Sequence, residues 1–110
     1  MTKKRILTGI RPTGALHLGH YVGALHNWIS LQDEYDCNFL IADYQALSDH
    51  FHETDMIKNS VIDVTLDWLS VGLDPEKSNF VIQSTSLNMQ NYLCYYLSLL
   101  HLECLKEILH

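Results

Sequence analysis

Short apolar runs alternate with segments of helical periodicity along this chain of 110 residues, and the alternation restricts the folds that the chain can adopt. The runs at residues 5–8, 37–42 and 79–83 have the length and composition of strands in a parallel sheet, and the first strand is expected to end at Gly9. The continuous apolar run at residues 37–42 is of the sort that is buried on both faces of such a sheet. The sequence therefore predicts an α/β fold of the order βαβαβα. This is the first half of a Rossmann-like, doubly wound parallel sheet.

Two helices are predicted between these strands. The first has apolar residues at three- and four-residue steps over residues 18–31 and then an exposed acidic end. The second begins at Thr54 or Asp55, either of which serves as the N-cap, and ends at Gly72. The side chains that this second helix is expected to bury are Ile57, Val61, Val64, Trp68 and Leu69.

A third helix is predicted from about Asn88 or Asn91 to His110, and it is apolar almost all the way round for its first three turns. Such a helix is either a central core helix or part of a subunit interface. Leu105 and Ile108 still follow the helical pattern near the last residue. We therefore expect the sequence to be an N-terminal, truncated piece of a longer protein.

The charge and the cysteines limit the partners and the compartment. A net charge of −6 with a pI near 5.5 lacks the basic footprint of a protein that holds nucleic acid by phosphate contacts alone. The three cysteines, Cys37, Cys94 and Cys104, lie in or beside apolar runs without CxxC spacing, so we expect reduced thiols and a cytoplasmic location. No signal peptide and no membrane span is expected.

The stretch from Gly9 to Leu25, GIRPTGALHLGHYVGAL, joins the first strand to the first helix through a glycine-containing turn. Such a connection presents free backbone N–H groups at the carboxyl edge of a parallel sheet, where nucleotides bind. Its glycine spacing gives neither GxGxxG nor GxxxxGK[ST]. A different mode of nucleotide binding is therefore required.

His17 and His20 suggest that mode, because residues three apart lie on the same face of a helix. Two imidazoles there would flank a groove and donate hydrogen bonds to phosphate oxygens, while Gly19 lets a nucleotide approach the backbone. Two other interpretations are that the pair is a helix-surface feature or half of a metal site. No further ligands have suitable spacing, so no metal site is predicted.

Three stretches together resemble one family of enzymes. Residues 8–25 resemble the first signature of the class I aminoacyl-tRNA synthetases, the HIGH motif, in the form found in the tryptophanyl family. FLIADYQALSDH, residues 39–50, resembles the second strand and the loop after it, and VGLDPEKSNFVIQS, residues 71–84, resembles the strand that leads to the next helix. The resemblance covers essentially the whole chain.

The resemblance implies an enzyme that condenses tryptophan with ATP to tryptophanyl-adenylate and transfers the acyl group to tRNA(Trp). It implies that Mg²⁺ accompanies ATP and that no cofactor is tightly bound. It also implies a homodimer with contacts near the third predicted helix. Many family members have Gln where this chain has Arg11, and an arginine adds charge-assisted hydrogen bonds to phosphate or carboxylate. The catalytic residues are then His17 and His20, and the ATP-binding residues are Arg11, Pro12, Thr13, Gly19 and His20.

On the amino-acid side, the resemblance places Leu7 and Gly9 at the end of the first strand and Ala42 and Gln45 at the second strand and its loop. A flat aromatic ligand fits an apolar wall with a glycine where the ring meets the backbone. For Leu7 and Ala42, membership of the strand core is the alternative to ligand contact. Asp43 is expected to cap the loop rather than act as a base.

The family's second signature, a lysine-rich KMSKS loop, and its anticodon-binding helical domain are absent from residues 1–110. We therefore expect this chain to be the N-terminal part of the nucleotide-binding catalytic domain and, by itself, to have little or no activity. Two other hypotheses remain: a different HxGH nucleotidyltransferase, such as a cofactor adenylyltransferase, and a non-catalytic, self-associating interaction module.

Overall fold

The structure, a computed structural model, describes residues 2–86 and contains a parallel sheet of three strands. The strands are β1 (Arg5–Ile10), β2 (Asp36–Ile41) and β3 (Asn79–Ile82), in the spatial order β1-β2-β3. Each neighbouring pair is parallel, and every crossover passes through helical segments. The predicted α/β class and the parallel sheet of a Rossmann-like half are thus confirmed.

Helices connect the strands. The first helix, α1, consists of three consecutive segments, of which the middle one is π-helical; such segments occur often at functional sites. A short helix that follows β2 is named α2, and the long helix before β3 is named α3. The bounds are Leu18–His20, Tyr21–Leu25 (π) and His26–Glu34 for α1, Asp43–Asp49 for α2, Thr54–Val71 for α3, and Gln83–Thr85 for a 3₁₀ turn after β3.

Some boundaries differ from the sequence-based prediction. Strand β1 does not end at Gly9 but continues to Ile10, because both residues pair with β2. Residues 43–49, which the sequence predicts as a loop, fold into α2, a helix of two turns that is too short to show periodicity. Helix α3 begins at Thr54 with Glu53 as its N-cap, so neither predicted N-cap is correct.

The core lies on one face of the sheet, under α1 and α3, and is built from aromatic rings. Trp28 of α1 stacks on Phe39 of β2 with ring centroids 4.8 Å apart, and Trp68 of α3 meets Trp28 edge-on at 5.6 Å. Trp68 also packs edge-on against Phe80 of β3 at 5.4 Å. Such offset and edge-to-face pairs add to the stabilisation from area burial.

The end of α3 is fixed as the sequence predicts. Gly72 has φ 104° and ψ 16°, a left-handed conformation that a residue without Cβ adopts readily, and the Leu73 N–H donates to the Trp68 carbonyl at 3.0 Å. Gln32 of α1, itself buried, holds the same corner. Its side chain donates to the Gly72 carbonyl at 3.1 Å and accepts from the Asp74 N–H at 2.9 Å.

Fewer helix side chains are buried than the sequence predicts. Ile57, Val64 and Trp68 are buried and Val61 is half-buried, whereas Leu69 is 44% exposed. At the start of α1, Leu18 is 76% exposed, although the acidic end of this helix is exposed as predicted. Each helix therefore contacts the sheet along a narrow stripe, because only one side of each cylinder faces the strands.

The opposite face of the sheet is open in the part of the chain that the structure describes. Burial alternates along β2, so Phe39 is fully buried while Leu40 is half-buried, and Leu7 of β1 is 60% exposed. The expectation that the β2 run is buried on both faces is therefore wrong for these residues. Both crossover helices lie on the other face, as connections of the same handedness require.

Cys37 is buried and free, and burial raises the pKa of its thiol. Cys94, Cys104 and the predicted helix from Asn91 to His110 lie outside the described residues. Among residues 2–86, no helix is both long and apolar enough to span a membrane.

Candidate functional site

The HxGH turn at the start of α1 is held by its own two histidines. His17 is the N-cap residue, and its Nδ1 accepts a hydrogen bond from the Gly19 N–H at 3.1 Å. His20 completes a capping box, because its Nδ1 accepts from the His17 N–H at 3.2 Å. The two imidazoles satisfy two of the unpaired N–H groups with which every helix begins.

This capping fixes the tautomer of both rings. A neutral imidazole that accepts a hydrogen bond at Nδ1 carries its proton on Nε2. His17 is exposed and His20 is half-buried, so each Nε2–H remains a donor that these bonds do not use. The turn thus combines two imidazole donors with the positive end of the helix dipole, an arrangement suited to anionic phosphate oxygens.

The spacing of the two histidines predicts that their rings flank a groove. This prediction is wrong. Their centroids are 4.1 Å apart with the planes tilted by 51°, so the imidazoles are in contact. His17 lines an open groove of about 280 Å³, whose other wall includes Asp67 and Val71 of α3. The two rings therefore lie side by side at the start of α1.

Gly19 has a structural role that the sequence did not reveal. A Cβ at this position would lie 2.8 Å from Cε1 and 3.0 Å from Nδ1 of His17, which is closer than van der Waals contact allows. The glycine therefore leaves the space into which the His17 ring folds to cap the helix. It also leaves the backbone N–H accessible to that ring.

The Pro-Thr-Gly turn that precedes α1 is anchored to α3. Pro12 is buried, and Gly14 has φ 117°, a left-handed conformation that favours glycine. The Gly14 N–H donates to the hydroxyl of Ser60 at 3.0 Å, and Ser60 is buried in α3. Ser60, 46 residues further along the chain, therefore positions the turn. Thr13, in the same turn, is exposed.

Replacing Ser60 tests this anchor. We expect Ser60→Ala to lower the free energy of unfolding by about 1–2 kcal/mol, because the partly buried Gly14 N–H loses its acceptor. Ser70→Ala in the same helix is the matched control, since Ser70 is exposed and bonds only to its own helix, at the Leu66 carbonyl. Urea denaturation of both variants measures the difference, and equal midpoints would show that the anchor is not needed.

Arg11 leaves β1 at the carboxyl edge of the sheet and pairs with the end of α2. Its Nη1 lies 2.5 Å from Oδ2 of Asp49, and about half of each side chain is exposed. The Thr13 N–H donates to the Arg11 carbonyl at 3.0 Å, which tightens the turn. Arg11 is one of the predicted site residues, whereas no pattern in the sequence marks Asp49.

The start of α2 is tied to the end of β3. Oδ1 of Asp43 accepts from the N–H groups of Tyr44 and Ser84, each at 3.0 Å, so this carboxylate binds backbone N–H groups as expected, but it is the first residue of α2 rather than part of a loop. Oε1 of Gln83 accepts from the Gln45 N–H at 3.3 Å, and Gln83 is buried. These bonds use the backbone of Gln45 and leave its exposed side chain available.

Of the residues selected for the amino-acid side, Leu7 and Gly9 lie on the open face of β1. Leu7 is not a core residue, because 60% of it is exposed, whereas Ala42 is buried. Gly9 pairs with Leu40 across the sheet, and a Cβ on Gly9 would overlap the Leu40 carbonyl oxygen and lie 2.8 Å from the Leu40 Cβ. Glycine is therefore required there by the neighbouring strand.

The contacts join the selected residues into two groups. His17, Gly19 and His20 form the capped turn that faces α3, and Arg11, Gln45 and their partners lie around α2 at the carboxyl edge of the sheet. The residues that sequence reasoning missed are Asp49, Ser60 and Gln83. Within residues 2–86, no group of three or more His, Cys, Asp or Glu side chains is placed to hold a metal ion.

Comparison with protein families gives one match over nearly the whole chain. A family model described as tRNA synthetases class I (W and Y) matches residues 2–104. A tryptophan–tRNA ligase from Lactococcus lactis subsp. lactis is 50% identical over 109 residues, and one from Streptococcus mutans serotype c is 51% identical over the same length. The match covers 97% of this chain, which spans only 32% of the length of each of these curated relatives.

Three solved structures that resemble this chain are tryptophanyl-tRNA synthetases. A tryptophanyl-tRNA synthetase from Campylobacter jejuni superposes with a TM-score of 0.74 at 32% identity, covering 84% of this chain and 29% of that one. The same enzyme complexed with ADP and tryptophan gives a TM-score of 0.67 at 35% identity, over 73% of this chain and 25% of that one. A tryptophanyl-tRNA synthetase from Mycoplasma pneumoniae gives a TM-score of 0.73 at 36% identity, over 82% of this chain and 27% of that one.

Proposed function

Because this chain belongs to the class I tRNA synthetases for tryptophan and tyrosine, we propose that it is part of a tryptophan–tRNA ligase. The proposed enzyme activates tryptophan with ATP to tryptophanyl-adenylate and then transfers the acyl group to tRNA(Trp). Relatives at about 50% identity carry the name tryptophan–tRNA ligase, which favours tryptophan over tyrosine. The single observation that carries the proposal is the capped HxGH turn at a helix N-terminus, in which both histidines accept through Nδ1 and these bonds do not use Nε2.

The chemistry requires little of the protein beyond positioning and charge stabilisation. The tryptophan carboxylate oxygen attacks the α-phosphorus of ATP, the bond from that phosphorus to the bridging oxygen breaks, and pyrophosphate leaves. Negative charge builds on the phosphoryl oxygens in the transition state. In this proposal, His17 and His20 donate hydrogen bonds from Nε2 to those oxygens, and such bonds strengthen as the charge develops.

The nucleotide side of the proposed site consists of Arg11, Pro12, Thr13, Gly19 and His20. A solved relative complexed with ADP and tryptophan supports a nucleotide site in this proposal. Arg11 supplies a guanidinium for phosphate oxygens. Mg²⁺ enters this proposal with ATP as part of the substrate.

The amino-acid side consists of Leu7, Gly9, Ala42 and Gln45. The exposed Leu7 and the bare backbone of Gly9 offer an apolar surface for a flat indole, and the side chain of Gln45 offers polar atoms beside it. Ala42 is buried, so its part in this proposal is to close the bottom of the pocket by packing.

The wider assignments also belong to this proposal. We infer that residues 1–110 are the N-terminal part of a nucleotide-binding catalytic domain, which is supported by the 32% of the relatives' length that they cover. The remaining inferences are tRNA(Trp) as a partner, a cytoplasmic location, and a homodimer formed through the segment from Asn91 to His110. The apolar composition of that segment supports the last of these.

ATP–pyrophosphate exchange tests the function directly. The protein expressed from its natural reading frame is assayed with each standard amino acid, and we expect exchange that depends on tryptophan. Activation of tryptophan consumes ATP reversibly, so labelled pyrophosphate enters ATP only when the correct amino acid is present. Exchange with tyrosine instead would reassign the substrate, and no exchange with any amino acid would contradict the proposed function.

A further inference from the structure

The ion pair between Arg11 and Asp49 joins two parts of the proposed site. Arg11 lies in the turn after β1, and Asp49 is the last residue of α2, 38 positions along the chain. Their Nη1 and Oδ2 atoms are 2.5 Å apart. From this geometry we propose that Asp49 is a positioning residue that holds the Arg11 guanidinium for the phosphates of ATP, and the inference rests on the proposed function.

The pair leaves most of the guanidinium free. A guanidinium has five N–H donors in a rigid planar fork, and the contact with Asp49 runs through Nη1 alone. The Arg11 side chain is 50% exposed, so its other nitrogens can meet an anionic ligand. A long side chain that is fixed at one nitrogen loses less freedom when its remaining donors bind phosphate.

Stability alone does not account for the pair. Ion pairs between half-exposed side chains contribute little to folding. Asp49 also lies at the carboxyl end of a helix, where the helix dipole disfavours a negative charge, and no basic residue occupies the last turn of α2. Among residues 2–86, the cation that pairs with this acid is Arg11.

Asp49 also connects the nucleotide side to the amino-acid side. Gln45 and Asp49 are four residues apart in α2 and therefore lie on one face of that helix. The start of α2 is fixed to the end of β3 through Gln83 and Asp43. The helix thus presents Gln45 toward tryptophan and, through Asp49, orients Arg11 toward ATP.

The test uses Asp49→Asn in the protein from its natural reading frame. We expect the KM for ATP in tryptophan-dependent exchange to rise about five- to tenfold while kcat changes less than twofold, because released Arg11 must be ordered again at each binding event. Asp49→Glu keeps the charge and should restore most of the affinity. A thermal melt checks that both variants fold.

Asp36→Asn is the matched control. Asp36 forms the same kind of exposed pair with Arg5, at 3.2 Å, where β1 and β2 begin and therefore at the opposite edge of the sheet. Its loss should leave the KM for ATP unchanged. In an Arg11→Gln background, Asp49→Asn should have no further effect, because the residue that it positions is gone.

The outcomes separate the two proposals. An active wild type whose KM for ATP is unchanged or lowered by Asp49→Asn overturns the positioning role and leaves the function intact. The positioning role is also overturned if Asp36→Asn raises the KM equally, or if Asp49→Asn still acts without Arg11. A wild type that exchanges with no amino acid overturns the proposed function, and the positioning role with it.

Discussion

His17→Ala is expected to lower the kcat of tryptophan-dependent exchange by about 100-fold, the effect of removing one preorganised donor to developing charge. The Nδ1 of His17 is occupied by the Gly19 N–H, so Nε2 is the nitrogen that acts on the phosphate in the proposed mechanism. In the proposed mechanism, the hydrogen bond from this Nε2 to a phosphoryl oxygen is stronger in the transition state than with bound ATP. The KM for ATP should therefore change much less than kcat.

The alanine variant also removes a helix cap, which costs about 1 kcal/mol of stability, so a second variant is needed. His17→Ser retains a capping oxygen but lacks a donor that reaches the substrate; it should melt like the wild type and be as slow as alanine. His26→Ala is the control for loss of an exposed histidine in the same helix, and it should keep full kcat. Wild-type rates from His17→Ser would show that the imidazole only caps the helix.

Gly9→Ala is expected to be the most destabilising small change in the sheet, with a loss of about 2–3 kcal/mol in the free energy of unfolding. The added Cβ would overlap the Leu40 carbonyl oxygen, which is a backbone atom and cannot rotate away. Strands β1 and β2 must then separate at the point where they pair. Urea denaturation of the chain followed by circular dichroism measures the loss.

Gly23→Ala is the matched glycine control, and we do not expect it to lower the free energy of unfolding. Nothing lies within 4 Å of a Cβ at Gly23, and this residue is in the π-helical segment of α1. Alanine there should leave stability unchanged or raise it by up to about 1 kcal/mol, because glycine is the poorer helix former. If Gly9→Ala unfolds at the wild-type midpoint, the close approach of β1 and β2 is not a constraint in solution.

Much of the fold could be predicted from the sequence, because the relevant signals are local. The three strand runs, the end of α3 at Gly72 and the strand–turn–helix around the HxGH turn depend on residues within a few positions of one another. The family could be predicted for the same reason, since its signature is a continuous stretch. Helix α2 could not, because two turns contain too few residues to establish a helical period.

Local sequence therefore determined the three strands, α1, α3 and the residues of the HxGH turn. Only the tertiary structure decided what holds that turn in place. Gly14 meets Ser60, Arg11 meets Asp49 and Gln45 meets Gln83 across separations of 46, 38 and 38 residues. Such pairs leave no periodic trace in the sequence, because they arise when parallel strands bring the ends of distant segments to the same edge of a sheet.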